Sequence, residues 1–509
     1  MTIIAGTART VLDLTIRLAR PSDVAVPRTA CVLGLLLLGR ALGAQPARGN
    51  PIDTLVLRAH ARFLSHDSLG GRANGSRGQG IAADYIIAQL RRLGLEGLGP
   101  NGDFRQPVPL TRVTLPREDA RLLLGYAHGG ITYPPESYHH LGGDSSSFRP
   151  FYGKGLHVGA LGPDAMTRLA SVRARGRVVV ADAQPGVPVD RVVSTLDSAG
   201  AMALILVVGD SARYRALRHA RGPERWFVRG GTGGPFDRRL PVLLASPHLG
   251  AELREIMVTG GGPHNAPPDT STTIRLTSTA RYRPVQTANI AARLRGSDPA
   301  KRDSVIVLTA HYDHIGFGQP LAGDSLYNGL LDNAVGVAAL LAIAESMRSA
   351  PPPRSVVFLF LTAEEEGSLG SAYYTKSPLV PLARTRAAVN VDAGAPLAPP
   401  RAWVIEGGTD AMISAAAKAV AARHGWSTTD APAQPTSDHW SFHMRGIPVA
   451  FPFPDEGWEG VTPQQEEALI ARWWRQHRPD DEWAEDFPAA GLARHAWFVM
   501  ELVRELARR

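Results

Sequence analysis

The chain has 509 residues, of which 44% are hydrophobic and 20% charged, with a formal charge of +8. That length calls for more than one domain, and that balance describes a soluble globular protein and excludes a disordered one. The positive charge is mostly arginine and is dispersed, with no basic block interleaved with aromatics, so nucleic-acid binding is not expected.

Arg28 is followed by TACVLGLLLLGRALGAQP. The apolar run from Ala30 to Gly39 is too short to cross a bilayer. ALGA before Gln45 has the small-residue spacing of a signal-peptidase site. Residues 1–44 are therefore expected to be an export signal rather than a buried core helix, and the stretch before Arg28 points to a start downstream of Met1. The mature chain is expected in the periplasm or outside the cell, without stable membrane insertion. Cleavage removes five Arg and two Asp, lowering the formal charge from +8 to about +5. The one cysteine, Cys31, lies inside the signal. The mature chain then has no thiol, and any metal site must be built from His, Asp and Glu.

Residues 45–105 contain two stretches of helical periodicity, NPIDTLVLRAHARFLS and GQGIAADYIIAQLRRLGLEG, which predict an N-terminal helical region. Between them, SLGGRANGSRG is a Gly-rich loop without the Gly-Lys-Ser/Thr ending of a phosphate loop. Residues 106–285 alternate short β-type runs, such as GRVVVADA and ALILVVG, with Gly/Pro/Arg-rich turns, and predict a β-rich inserted domain. From 286 to 509 apolar strands alternate with helices: SVIVLTA, then DNAVGVAALLAIAESMR, then SVVFLFLTA and AAVNVDA. This pattern predicts an α/β fold with a mostly parallel, doubly wound sheet.

In such sheets, sites form beyond the carboxyl ends of strands. SVIVLTA runs into His311–His314, SVVFLFLTA into Glu364–Glu366, and AAVNV into Asp392, while the first helix begins at Asp332–Asn333. Singly, each has an ordinary explanation: a structural histidine, a helix cap at Asp332, a turn at Asp392, a solvated helix start at Glu364–Glu366. Together they bring imidazole and carboxylate to one edge, the donor set of a hard-to-borderline divalent cation. So many carboxylates repel unless cations neutralise them. A pair of cations sharing one bridging carboxylate is the usual clamp for hydrolysis by an activated water, and an unligated glutamate can act as general base.

AHYDHIG, LLDNAVGVAALL, TAEEEGSLGS, VNVDAG and SDHWSFHMRGIPVAF resemble, in that order, the co-catalytic zinc aminopeptidase family. The resemblance covers the segment from about Thr287 onward, and weakly the region near Gly70–Gly97. It implies a zinc-exopeptidase fold and two zinc ions, with manganese or cobalt suited to the same donors. It implies His311 and Asp392 as ligands of one ion, Glu365 of the other, and Asp332 as the bridge. It makes Glu364 the general base and Asp313 the carboxylate that orients His311. A late histidine should complete the set. RQHRPDDEWAEDF resembles the family's His-x-Pro-x-Asp-Glu segment and nominates His477, with Asp481 at the motif's Asp and His439 as the rival. Asp438 and His439 are expected to line the substrate pocket. Val335, Ala393 and Ser441 depart from the family's Ser, Met and Pro. The insert resembles a protease-associated domain in texture and position.

The expected activity is therefore hydrolysis of the N-terminal peptide bond of peptides with a free N-terminus. The alternatives are a carboxypeptidase or another amidohydrolase on the same site, and a non-catalytic binding ectodomain. A glutaminyl-cyclase reading is disfavoured, because those enzymes resemble a version without the early histidine.

Overall fold

The computed structural model describes residues 50–509, apart from 115–120, 127–128, 141–148, 163–166, 168, 170–171, 185–188, 212–213, 215–223, 230–239, 260–271, 278–279, 393–396 and 456. The expected signal at 1–44 and Ala393 lie outside the described residues.

Among the described residues the main sheet has ten strands. They are β1 (Glu96–Gly97), β2 (Arg105–Thr114), β3 (Glu224–Val228), β4 (Arg281–Leu294), β5 (Val305–His311), β6 (Ser355–Leu361), β7 (Thr385–Asn390), β8 (Ala402–Glu406), β9 (Ser427–Ala431) and β10 (Val449–Pro454). Their order is β9-β8-β10-β7-β5-β6-β4-β2-β3, with β1 beside β4. The centre, β6-β5-β7-β10, is parallel. Both flanks bring in antiparallel neighbours, β4 against β6 and β8 against β10. The sheet is thus mixed, with its parallel part at the centre.

The apolar runs of β5 and β6 are continuous because both faces are covered. Ile306, Leu308, Val356, Phe358 and Phe360 pack into one core, with helices α1 (Thr54–Leu64), α2 (Arg77–Arg92), α3 (Val335–Arg348), α5 (Ala411–His424) and α8 (Ala489–Arg508). Val305, Val307, Val357, Leu359 and Leu361 face a second core, which takes Tyr374 of α4 (Leu369–Lys376) and Phe442 of α6 (His439–His443). Fully burying one such side chain contributes about 1.5–3 kcal/mol. A one-residue slip of β5 would exchange its two faces. The register, Leu308 opposite Phe358 and Val389, sets the ends of β5, β6 and β7 side by side. Helix α5 starts at Asp410, whose carboxylate accepts from the Met412 and Ile413 amides, and stops at Gly425 in left-handed backbone. Helix α7 (Pro463–Trp473) begins with a reciprocal Thr462–Gln465 cap.

A second sheet, of eight strands among the described residues, lies between Arg121 and Thr277. Its strands Phe151–Ala160, Arg177–Asp182, Ala203–Val207 and Val242–Ala245 pair in parallel, and its two faces carry separate cores. It is joined to the main sheet by the long β2–β4 ribbon, paired from Arg105 with Ile290 to Thr114 with Arg281. β3, from the same stretch of chain, leaves the second sheet and pairs with β2.

His495 on α8 is fully buried, and its Nδ1 accepts from Trp403 Nε1 at 3.1 Å. Burial pushes its pKa down from 6.5 to about 3. Between those values the unfolded chain holds a proton that the folded chain excludes. The stabilising contribution is therefore intact above about pH 6.5 and shrinks, by at most about 1.4 kcal/mol per pH unit, as pH falls towards 3. His495→Gln, which keeps an acceptor for Trp403, is expected to flatten the loss of melting temperature between pH 7.5 and 5. Parallel melting curves for variant and wild type would remove His495 as a cause.

Candidate metal centre

The carboxyl edge of the parallel strands gathers two groups of donors. His311, Glu364 and Asp392 form one, and His314, Asp332 and Glu365 the other; within each, the ligand atoms lie within 4.8 Å of one another. Asp332 belongs to both sides. Its Oδ1 is 3.0 Å from His311 Nε2 and its Oδ2 is 2.9 Å from His477 Nε2. His311 Nε2 is also 2.9 Å from Asp392 Oδ1, and His477 Nε2 is 3.1 Å from Glu365 Oε2.

Local contacts explain why Asp332 is available. Asn333, not Asp332, serves the first turn of α3, its Oδ1 accepting from the Gly336 amide. Asn333 Nδ2 donates to the Val391 carbonyl, tying this turn to the residue before Asp392. The buried Asp481 carboxylate accepts from the Leu331 and Asp332 amides, fastening the His477 segment beneath the same turn. Burial pushes Asp481 up to about 7, although those amides hold it down. His477 itself has left-handed backbone, φ +59°.

The histidine at the end of β5 is oriented through Nδ1, 3.2 Å from the Asp313 main-chain oxygen and 3.8 Å from Asp313 Oδ1. That leaves Nε2 facing Asp332 and Asp392. Asp392 Oδ2 in turn accepts from the Ser437 hydroxyl at 2.5 Å. Ser437 is held by Asn390 Nδ2, so the Ser-Asp-His segment is tied to the strand that carries Asp392.

The charges are arranged around this geometry. Burial opposes a proton on His311, but Asp392 and Asp332 outweigh it and hold the imidazolium well above its ordinary range. Contacts with Asp332 and Glu365 raise His477 to about 11. Burial and repulsion from Asp332 disfavour ionised Glu365, yet the imidazoles of His314 and His477 bring it down to about 2. Burial pushes Glu364 well above the carboxylate range; His311 pulls it back, while Asp392, Asp438 and Glu365 push it further. Glu364 is thus a carboxyl held ready to take up a proton, as a general base requires. Glu366 belongs to neither donor group.

Asp438 and His439 are buried at the start of α6, apart from these donor groups. Burial raises Asp438 to about 7. His439 Nε2 faces Glu406 Oε2 at 3.4 Å rather than the donor groups, so the geometry favours His477 over His439 as the late ligand. The sequence reasoning gave no role to His314. Its Nδ1 is 2.5 Å from Glu365 Oε1, and its buried Nε2 has no hydrogen-bond partner among the described residues. Its signal was present, as the second histidine of the HYDH run at the end of β5.

Imidazoles and carboxylates in two groups joined by one aspartate, with the orphaned His314 Nε2 beside them, fit zinc-like cations. Such an edge on a central parallel sheet defines the class: α/β proteins whose strand ends gather donors that could hold a divalent cation. Within it, residues 289–503 match peptidase family M28. Probable leucine aminopeptidase 2 of Aspergillus oryzae is 29% identical over 202 residues, covering 37% of this chain and 37% of that protein. Leucine aminopeptidase 2 of Arthroderma otae is 25% identical over 169 residues, covering 33% of this chain and 29% of that protein. The chain thus matches well under half the length of these relatives. The structure of the aminopeptidase from Aneurinibacillus sp. strain AM-1 shares the fold, with a TM-score of 0.55 at 18% identity, over 89% of this chain and 93% of that one.

Proposed function

We propose that this chain is an exported, zinc-dependent aminopeptidase with two ions per chain, acting on peptides with a free N-terminus. The observation that carries this reading is the division of Asp332, one oxygen towards His311 and the other towards His477. The M28 segment and the names of the relatives support it. His311 and Asp392 would hold one ion, Glu365 and His477 the other, and Asp332 both. When bound, such ions polarise a carbonyl and lower the pKa of water.

The residues then divide the work. Glu364 takes the proton of the attacking water and delivers it to the leaving amine. Asp313, held by the Asn74 amide and the Glu364 peptide N–H, supports the turn that orients His311. Asp438 and His439 line the substrate side. Surplus carboxylate favours a free α-amine, which selects the end of a peptide. Export rests on the sequence pattern of residues 1–44. The second sheet is assigned to an inserted module that rims the site and filters substrates.

The reading is tested by zinc content and aminoacyl-p-nitroanilide hydrolysis of the mature protein, His477→Ala and His439→Ala. Close to two zincs, with chelator-sensitive release of the N-terminal residue, are expected. His477→Ala should lose one zinc and His439→Ala neither. A metal-replete protein active only on blocked or C-terminal substrates overturns the aminopeptidase assignment and keeps the site. No metal and no activity after zinc reconstitution would favour the binding ectodomain.

A further inference from the structure

The Gly-rich loop Leu69–Ser76 lies outside the family-matched segment, far back in the chain. It bends onto the site through left-handed backbone at Gly70, Gly71 and Arg72, with φ of +53°, +64° and +53°. A Cβ on Gly71 would stand 2.2 Å from the Tyr327 carbonyl oxygen, so this approach requires glycine. Arg72 is buried, and its guanidinium donates to the carbonyls of Leu64, Tyr312, Asn328 and Gly329. It braces the turn after His311 and the turn before Asp332.

Asn74 reaches further in. Its Nδ2 donates to Asp313 Oδ2 at 3.1 Å. Its Oδ1 accepts from the Ala363 amide at 3.1 Å, the Thr362 hydroxyl at 3.0 Å and Gln79 Nε2 at 2.8 Å. Ala363 is fully buried in left-handed backbone, φ +57°, immediately before Glu364. Left-handed backbone is uncommon for a residue with a side chain and persists where its surroundings hold it. The other oxygen of Asp313 accepts from the Glu364 amide at 3.2 Å. One side chain therefore grips both the carboxylate beside His311 and the peptide that aims Glu364. An amide suits the task because it donates and accepts through different atoms.

We propose that Asn74 is a positioning residue of the catalytic site, fixing Glu364 and Asp313 relative to His311 from a loop outside the peptidase segment. The inference rests on the aminopeptidase reading. Asn74 acts through Asp313 and Ala363, and does not itself touch substrate.

The test compares the full mature chain with Asn74→Asp, Asn74→Ala and Gln79→Ala, reading kcat, KM, zinc content and the rate of zinc loss to a chelator. Asn74→Asp keeps the acceptor for Ala363 but sets a carboxylate against Asp313. It is expected to lower kcat about 10–100-fold with KM within about twofold, and to speed zinc loss, as changes behind metal ligands do. Asn74→Ala should lose at least as much. Gln79→Ala, which loosens Asn74 without touching Asp313, should fall between, and it carries the test if the Asn74 variants do not fold. Wild-type kcat and zinc-loss rates in the variants would overturn the proposal, as would a rise in KM alone. A wild-type chain inactive on all free-amine substrates refutes the aminopeptidase reading instead, and the chelator arm then still reports on Asn74.

Discussion

Replacing Glu364 by Gln is expected to lower turnover by about 10²–10⁴-fold, the usual contribution of a positioned general base, while zinc content stays at the wild-type value. The reason is the division of labour between neighbours. Glu365 is held down at about 2 by His314 and His477 and is committed to the donor group around Asp332. Glu364 is pushed the other way, chiefly by burial, and it accepts from the Ser368 hydroxyl at 3.4 Å. A Gln at 364 keeps shape and removes the basic oxygen. The same substitution at 365 removes a charge that two imidazoles face, so it should cost zinc as well as turnover. The check is kcat beside metal content for the two variants. Full turnover in Glu364→Gln would strip that residue of its role, and zinc loss there would make it a ligand, as its place beside His311 and Asp392 also permits.

The centre of this fold was legible because its strands are buried on both faces. SVIVLTA and SVVFLFLTA are runs with no polar alternation, and such runs belong to the middle of a covered sheet. Polar residues stop being excluded only where the strand leaves the core, so His311, Glu364–Glu365 and Asp392 stand out at the ends. The flanks were less legible, since an antiparallel edge and a parallel one use similar residues. β3 was invisible as part of the main sheet: Glu224–Val228 lies in the middle of the insert's sequence, and its pairing with β2 is set by tertiary placement. Asp332 could be read as a helix cap until Asn333 was seen to take that task. His314 and Asn74 gave little signal for a related reason. Each acts through a partner far away in sequence, Glu365 for one and Asp313 with Ala363 for the other. Spacing along the chain carries no information about such pairs.

Asp332→Asn is expected to cost more metal than the loss of any one histidine. The oxygens of Asp332 face imidazoles on different sides of the site, His311 of one donor group at 3.0 Å and His477, which also faces Glu365 of the other, at 2.9 Å, so the residue joins the two sides through one charge. The amide of Asn keeps one oxygen but carries no charge to share between two cations, so metal binding is expected to weaken by at least about 10–100-fold, the usual cost of changes around metal ligands. The turn itself should survive, because Asn333 and Asp481 hold its backbone independently of the Asp332 carboxylate. Secondary structure by circular dichroism should therefore match the wild type while zinc content falls below one per chain at limiting free zinc. His477→Ala removes one donor, beside Glu365, and should stop at the loss of a single ion. If Asp332→Asn retained two zincs at wild-type affinity, the two groups would be independent sites and Asp332 would bridge nothing.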